Sequence, residues 1–367
     1  MVLLIVGLIL FICLILVHEW GHFIVAKRNG VEVEEYGVFF PPRLWSRKTK
    51  GGWDFSINAL PIGGFVRLKG ESDSDTRKGT FGAAPLWVKI KIMFAGIGMN
   101  LLVAFGLLTF LALAGMPQLV DNQFTVGSNE RLARHEVLVG YVEPGSPAEK
   151  AGIQVRDQLL SIRTGTGEVL SIAKATDLPL ITQKQGGKVV VVSYERAGEV
   201  QQKTITLRNK DQLSDTKGAL GVAPTEYSMK RYTWSAPVVA VGTMAQFTGL
   251  TFQGLGTAIS SLFQGDAAKA SEQVSGPVGI FAVMQKGTFL GYQFILLIVA
   301  VISLSLAIMN LLPIPALDGG KIFVTLTARL FGKRVSKRAE AWLYGGSFVL
   351  LLLLLLLITV VDVRRFF

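Results

Sequence analysis

Cysteine is almost absent. The single thiol, Cys13, sits in an apolar run with no second cysteine in the chain, which excludes an internal disulfide framework and any CxxC-type redox or metal motif. Histidine is nearly as scarce, with His18, His22 and His135 the complete set. Charge is thin: 17% of the residues are Asp, Glu, Lys or Arg, where a soluble domain carries about 25%. Half of the residues are apolar and the mean hydropathy is +0.46. For 367 residues, length alone suggests two or three soluble domains, and this composition excludes that reading. No internal repeat and no pair of matching broken helices is visible, which speaks against a transporter.

What is present are five long stretches free of charge, at 1–17, 92–120, 232–265, 287–317 and 341–361. A bilayer span needs about 20 mostly apolar residues. Four of the five meet that by aliphatic content. The first lacks a basic leader and a small-residue cleavage site and runs straight into charged chemistry, so it is read as a retained helix. The third, 232–265, interleaves Thr, Ser, Gln and Gly with its apolar residues at helical spacing and is expected to lie in the membrane interface. Between 121 and 231 charges return, with short β-branched runs such as 188–192 and 203–207 punctuated by glycines; this is an inserted domain. Residues 31–70 also read as β, with a turn at Gly51-Gly52.

The chemistry sits where the first apolar stretch ends. His18-Glu19-Trp20-Gly21-His22 is an H-E-x-x-H sequence: on a helix the two histidines share a face and can bind one zinc ion, while Glu19 can take a proton from an attacking water. A surface helix can carry the same five residues, but this one continues an uncharged span, where ionisable groups are costly and functional by default. A catalytic zinc wants a third ligand. His135 falls in the inserted domain, and Cys13 is five residues before His18, turned by roughly 140° on a 3.6-residue helix. Asp318 is the better candidate, as the first charge after 31 uncharged residues and just past Pro313 and Pro315, which cannot continue a regular helix. If His22 and Asp318 meet, the stretches that deliver them cross the membrane in the same direction. The 34 residues of 232–265 are too few for two crossings, which again leaves that stretch on the surface.

These residues resemble the site-2 protease family of intramembrane zinc metalloproteases, in particular the bacterial regulator-of-sigma-E type. The resemblance rests on His18-Glu19-x-x-His22 and on Asn310-x-x-Pro313-x-x-x-Leu317-Asp318-Gly319. Gly96-x-x-x-Asn100, Pro61-Ile-Gly63-Gly64-Phe-Val66 and Ser275-Gly276-Pro277-Val278-Gly279 add to it. It implies one zinc per chain held by His18, His22 and Asp318, with Glu19 as general base. Asn100, Asn310, Gly63 and Gly64 become candidates for contacts with substrate or transition state, although interhelical hydrogen bonding is an equal account of the two asparagines. Residues 139–153 followed by 157–162 resemble a PDZ domain, which implies peptide contacts at Gly140, Tyr141 and Val142 or a size filter.

The expected architecture is a polytopic α-helical membrane protein with four transmembrane helices, a membrane-associated β-loop and an inserted α+β PDZ domain. In order, the chain is expected to run through a first transmembrane helix with the HExxH sequence (1–29), a cytoplasmic-side β-loop region (30–88) and a second transmembrane helix (89–117). An extracytoplasmic PDZ domain (118–230) and an amphipathic interfacial segment (231–286) follow. A third transmembrane helix with the LDG motif (287–320), a basic cytoplasmic loop (321–339) and a fourth helix with its tail (340–367) complete it. The implied partners are the lipid bilayer and single-pass membrane substrates, such as anti-sigma factors or signal-peptide remnants, trimmed beforehand by an upstream site-1 protease. A non-catalytic PDZ scaffold is the competing reading.

Three departures from the family are visible. There is room for one PDZ domain where the best-known branch has two, Ala95-Gly96-Ile97 stands where relatives often have Ala-Gly-Pro, and Val38-Phe39-Phe40 stands where relatives carry Gly-Phe-Gly. The net charge of +11 is no nucleic-acid signal. Residues 27–91 hold 12 basic and 7 acidic groups, and 319–339 hold 6 basic and none acidic. Both segments follow spans that deliver the site, and the positive-inside rule assigns them to the cytoplasm of a bacterial inner-membrane protein.

Overall fold

The computed structural model describes residues 2–120, 122–214 and 217–366. They form two compact units, one of 1–111, 124–126 and 235–367, the other of 112–123 and 127–234.

The first unit is built on helices. α1 (Val2–Arg28), α2 (Leu86–Ala114), α8 (Tyr292–Leu311) and α10 (Lys337–Phe366) are long and apolar enough to cross a membrane. At 1.5 Å per residue, the shortest of them reaches about 30 Å, the thickness of a hydrocarbon core. α5 (Ala236–Phe263), α6 (Ala267–Glu272), α7 (Pro277–Gly287) and α9 (Asp318–Leu330) complete the unit's helices. α5 has the length to span but, with its interleaved polar residues, does not reach the apolarity of the other four.

Packing fixes the directions of the helices. Gly7 of α1 meets Ile295 of α8, and at the other end His18 and His22 meet Asp318 just beyond α8, so α1 and α8 run parallel. α2 runs antiparallel to both: Gly21 abuts Ala95, and the Asn100 carbonyl accepts the Ser303 hydroxyl at 2.8 Å. The Gly21 contact is close enough that a Cβ there would stand 2.6 Å from the Ala95 carbonyl oxygen.

Between α1 and α2 lie β1 (Val33–Lys48) and β2 (Asp54–Leu68), joined by the turn at 49–53. They are an antiparallel pair that doubles back on itself. Tyr36 registers with both Val66 and Phe55, and Val38 with both Gly64 and Ile57, so 33–38 lies between 64–68 and 54–57. Arg43 and Lys48 then flank Asn58 and Asp54 from the other side. The sheet therefore has 64–68 along one outer edge. A core of Phe23, Ala26, Val31, Tyr36, Leu68, Ile92, Met93 and Ile322 ties it to α1, α2 and α9, and the Tyr36 hydroxyl donates to the Leu16 carbonyl at 2.7 Å.

The stretch read from the sequence as one third span is two helices. α8 stops at Leu311, the chain turns through 312–317, and Asp318 opens α9. Pro313 and Pro315 supply no amide hydrogen and clash with a continuing helix. Gly319 and Gly320 let the new helix press against the break, where a Cβ on Gly320 would stand 1.9 Å from the Ile314 carbonyl oxygen. α9 also occupies much of what composition alone marks as a basic loop.

The second unit is a sheet of β3 (Met116–Pro117), β9 (Val222–Arg231), β4 (Arg131–Val142), β5 (Gln158–Arg163), β7 (Val189–Arg196) and β8 (Glu199–Thr206) in that order, with β6 (Val169–Ser171) beside β5. Two short helices, α3 (Pro147–Lys150) and α4 (Asp177–Lys184), accompany it. Inward-facing residues of its strands, among them Val137, Val139, Leu159, Ile162, Val190, Val192 and Tyr194, form an apolar core.

Candidate metal centre

One cavity of about 660 Å³ collects most of the residues that the sequence singles out. His18, Glu19 and His22 enter it from α1, Gly64 to Leu68 from β2, Asn310 from the end of α8, and Asp318 and Lys321 from the first turn of α9. Helical geometry puts His18 and His22 on one face. The proline break turns the chain so that Asp318 faces them.

The distances are those of a ligand set. The Nε2 atoms of His18 and His22 lie 3.1 Å apart, and each is 3.1 Å from Asp318 Oδ2. A tetrahedral ion with ligands at about 2.0–2.1 Å separates its ligand atoms by roughly 3.3 Å. Asp318 Oδ2 is buried and has no hydrogen-bond partner among the described residues, and it points at the place where an ion fits. His22 donates Nδ1–H to the Ile92 carbonyl at 2.7 Å, which leaves its Nε2 lone pair for a metal. Among the described residues, His18, His22 and Asp318 are the only group of three or more His, Cys, Asp or Glu that can hold an ion together.

Glu19 shares the cavity. Its Oε2 accepts the backbone N–H of Val66 at 3.0 Å, a bond between residues 47 apart that locks the outer edge of the sheet beside the histidines. Gly64 lies where a Cβ would touch Leu16 and the Gly37 carbonyl, and Gly63 lies against the Phe40 ring, so both glycines serve close packing around that edge. Asn310 lines the cavity, with its amide donating to the Leu306 carbonyl at 3.0 Å. Asn100 does not line it; it is fully buried behind His18.

The other candidates lie elsewhere. Cys13 is exposed on α1. His135 is in the second unit, where its ring donates to the Ala173 carbonyl at 2.7 Å. Tyr141 and Val142 register with Ala223 and Val222 of β9, so the β4 backbone there is already paired along that edge; the Tyr141 side chain is exposed.

Lys321 was not legible as a site residue. It stands one helical turn after Asp318 and therefore points the same way, into the cavity. Burial alone pulls a lysine pKa down, but Glu71, Asp318, Glu19 and Glu340 outweigh it and raise this one above its usual value. The i,i+3 spacing from Asp318 is the signal that finds it.

Apolar helices that bring two imidazoles, a carboxylate and a glutamate to one cavity define a membrane-embedded metallohydrolase. Residues 6–354 match the model of peptidase family M50, and the chain belongs to that family, the site-2 proteases. It is 30% identical to a Fusobacterium nucleatum protein provisionally named a zinc metalloprotease, over 98% of this chain and 97% of the relative. It is 28% identical to the Enterococcus faecalis protein provisionally named protease Eep and 25% identical to zinc metalloprotease RasP of Shouchella clausii, each over 98% of both chains. The protein is thus an intramembrane zinc metalloprotease of a bacterial cytoplasmic membrane, and the scaffold alternative falls away.

Proposed function

We propose that His18, His22 and Asp318 hold the zinc, that Glu19 is the general base, and that the enzyme cleaves transmembrane segments of single-pass membrane proteins whose ectodomains have already been trimmed. The observation that carries this is the 3.1 Å triangle of Nε2, Nε2 and Oδ2 atoms with Glu19 in the same cavity. The ion, when bound, supplies Lewis-acid polarisation for peptide hydrolysis. Val66 engages Oε2 of Glu19, so Oε1 is the oxygen that takes a proton from the attacking water and returns it to the leaving amine.

A transmembrane helix exposes no free carbonyl, so substrate must unwind, and its freed backbone needs partners. The outer edge 64–68 lines the cavity next to Glu19 and suits strand addition there. Asn310 and Lys321 line the same cavity, and we assign them to the carbonyl of the scissile bond. We assign the second unit a PDZ-type role in size exclusion outside the cytoplasm, with α5 at the interface and the metal centre toward the cytoplasmic side. The placement of basic residues after the first and third spans supports this orientation. Substrates fitting the chemistry are anti-sigma factors and signal-peptide remnants.

Glu19→Gln tests the assignment. The variant should keep stoichiometric zinc and lose cleavage of a truncated single-span substrate by roughly 10²–10⁴-fold. Undiminished cleavage by a zinc-loaded variant would refute Glu19 as the base.

A further inference from the structure

Every histidine that ligates a metal through Nε2 carries its proton on Nδ1, and that proton needs an acceptor. For His22 the acceptor is the Ile92 carbonyl. For His18 the polar group at Nδ1, among the described residues, is the side-chain amide of Asn100, 3.3 Å away. That amide turns Nδ2 toward the ring, while its Oδ1 is buried without any partner.

The proton count decides between the two amide orientations. With Nδ2 facing the ring, Nδ1 must be the acceptor, the proton moves to Nε2, and His18 cannot bind an ion through the atom that faces Asp318. With the amide turned over, Oδ1 accepts Nδ1–H and the Nε2 lone pair points into the triangle. The oxygen and nitrogen of an amide have nearly the same shape, so the bonding network fixes which faces the ring. We infer that Asn100 is a positioning residue: its Oδ1 accepts the Nδ1–H of His18 and holds that imidazole in the tautomer and rotamer that bind zinc.

This inference rests on His18 being a zinc ligand, and it gives Asn100 a role distinct from substrate contact. Asn100 is fully buried and outside the cavity, so no peptide reaches it. Its backbone carbonyl accepts the Ser303 hydroxyl, which ties this turn of α2 to α8. Gly96, one turn before, makes the arrangement possible: a Cβ there would stand 2.4 Å from His22 Nε2 and 2.7 Å from His18 Cε1. Ile92, Gly96 and Asn100 are successive i,i+4 positions along one face of α2. That face supplies an acceptor to one histidine, room for both, and an acceptor to the other.

The test is zinc affinity, measured by chelator competition on the purified full-length chain in detergent. Asn100→Leu keeps the branched four-atom side-chain skeleton and removes the acceptor, and its affinity should fall roughly 10–100-fold, the usual effect of deleting a ligand's outer partner. Asn100→Asp keeps an acceptor oxygen and should bind within a few-fold of the parent. Thermal unfolding of the zinc-free proteins shows whether each variant is folded. Folded Asn100→Leu with parental affinity overturns the inference. So does folded Asn100→Asp that binds as weakly as Asn100→Leu, because then the oxygen is not what matters. His18→Ala separates the two levels. If it binds zinc as the parent does, the ligand assignment itself is wrong and the role of Asn100 falls with it.

Discussion

Helices α1 and α10 are both long and strongly apolar, yet they are held in different ways. In the most apolar 18-residue window of α1, 22% of residues are buried within the protein; in that of α10 the share is 6%. α1 buries Leu4, Gly7, Leu14, His18, Gly21, His22, Phe23 and Ala26, a face running its full length. α10 buries only Glu340 and Asp362, one carboxylate near each end. Glu340 accepts the backbone N–H of Asp73 at 2.8 Å, and Asp362 Oδ2 accepts the N–H groups of Gly276 and Gly279 at 2.9 and 2.8 Å. Hydrophobicity marks both helices as spans. Polar groups mark where each attaches, because a buried carboxylate persists only where donors satisfy it.

The near attachment of α10 belongs to a larger network and carries the largest expected effect. Asp73 Oδ1 accepts the Lys89 ammonium and Arg329 Nη2, the latter at 2.8 Å, and Oδ2 accepts the Val335 N–H at 3.1 Å. Lys89 is itself buried and also donates to the Gly82 carbonyl at 2.9 Å. Asp73→Ala removes the common acceptor and leaves a buried ammonium uncompensated, a loss of about 3–5 kcal/mol. Denaturant unfolding in detergent micelles should show it. A loss below about 1 kcal/mol would mean that Lys89 and Arg329 find other partners once the Asp73 carboxylate is gone.

Asp362→Ala addresses the far attachment. It leaves two buried backbone donors at the start of α7 without an acceptor, at a cost of about 1–3 kcal/mol. The same unfolding assay reads it, and protease accessibility of 265–276 should rise, since Asp362 fixes where α7 begins. Asp362→Asn keeps an acceptor oxygen and should recover much of the loss.

The contrast also explains what the sequence disclosed. His18, Glu19 and His22 were legible because an i,i+4 pattern is local and helical geometry alone brings it together. Asp318 was legible as the first charge after a long apolar stretch broken by two prolines. The N–H of Val66 on Glu19, the doubled register of β1 and β2, and the Asp73 to Glu340 bond link residues 47, tens of positions and 267 apart, respectively. No periodicity records such pairings. α9 was hidden for another reason: its basic composition reads as a loop, and only its buried face of Gly319, Gly320, Ile322 and Thr325 shows it to be an amphipathic helix. Asn100 was visible as an unusual residue in an apolar stretch, but its partner lies 82 residues away, so sequence left packing and substrate contact equally open.

The smallest expected effect is the most direct probe of how α10 is held. Leu353 sits midway along the helix and is 60% exposed, with its side chain directed away from the rest of the protein. If α10 is fastened only near its ends, Leu353→Ala exchanges one lipid-facing apolar group for a smaller one, and the change should stay within about 0.5 kcal/mol, as for substitutions away from packed features. A Leu→Ala change at a packed site costs about 2–5 kcal/mol, because it leaves a cavity. The two expectations are far enough apart for one unfolding measurement to separate them. A loss of 2 kcal/mol or more would mean that another surface covers the middle of α10 in the working enzyme, and a cross-link from a cysteine at position 353 would then identify it. A negligible loss means that no other surface covers this face of the helix, which borders the cavity through Glu340 and Tyr344.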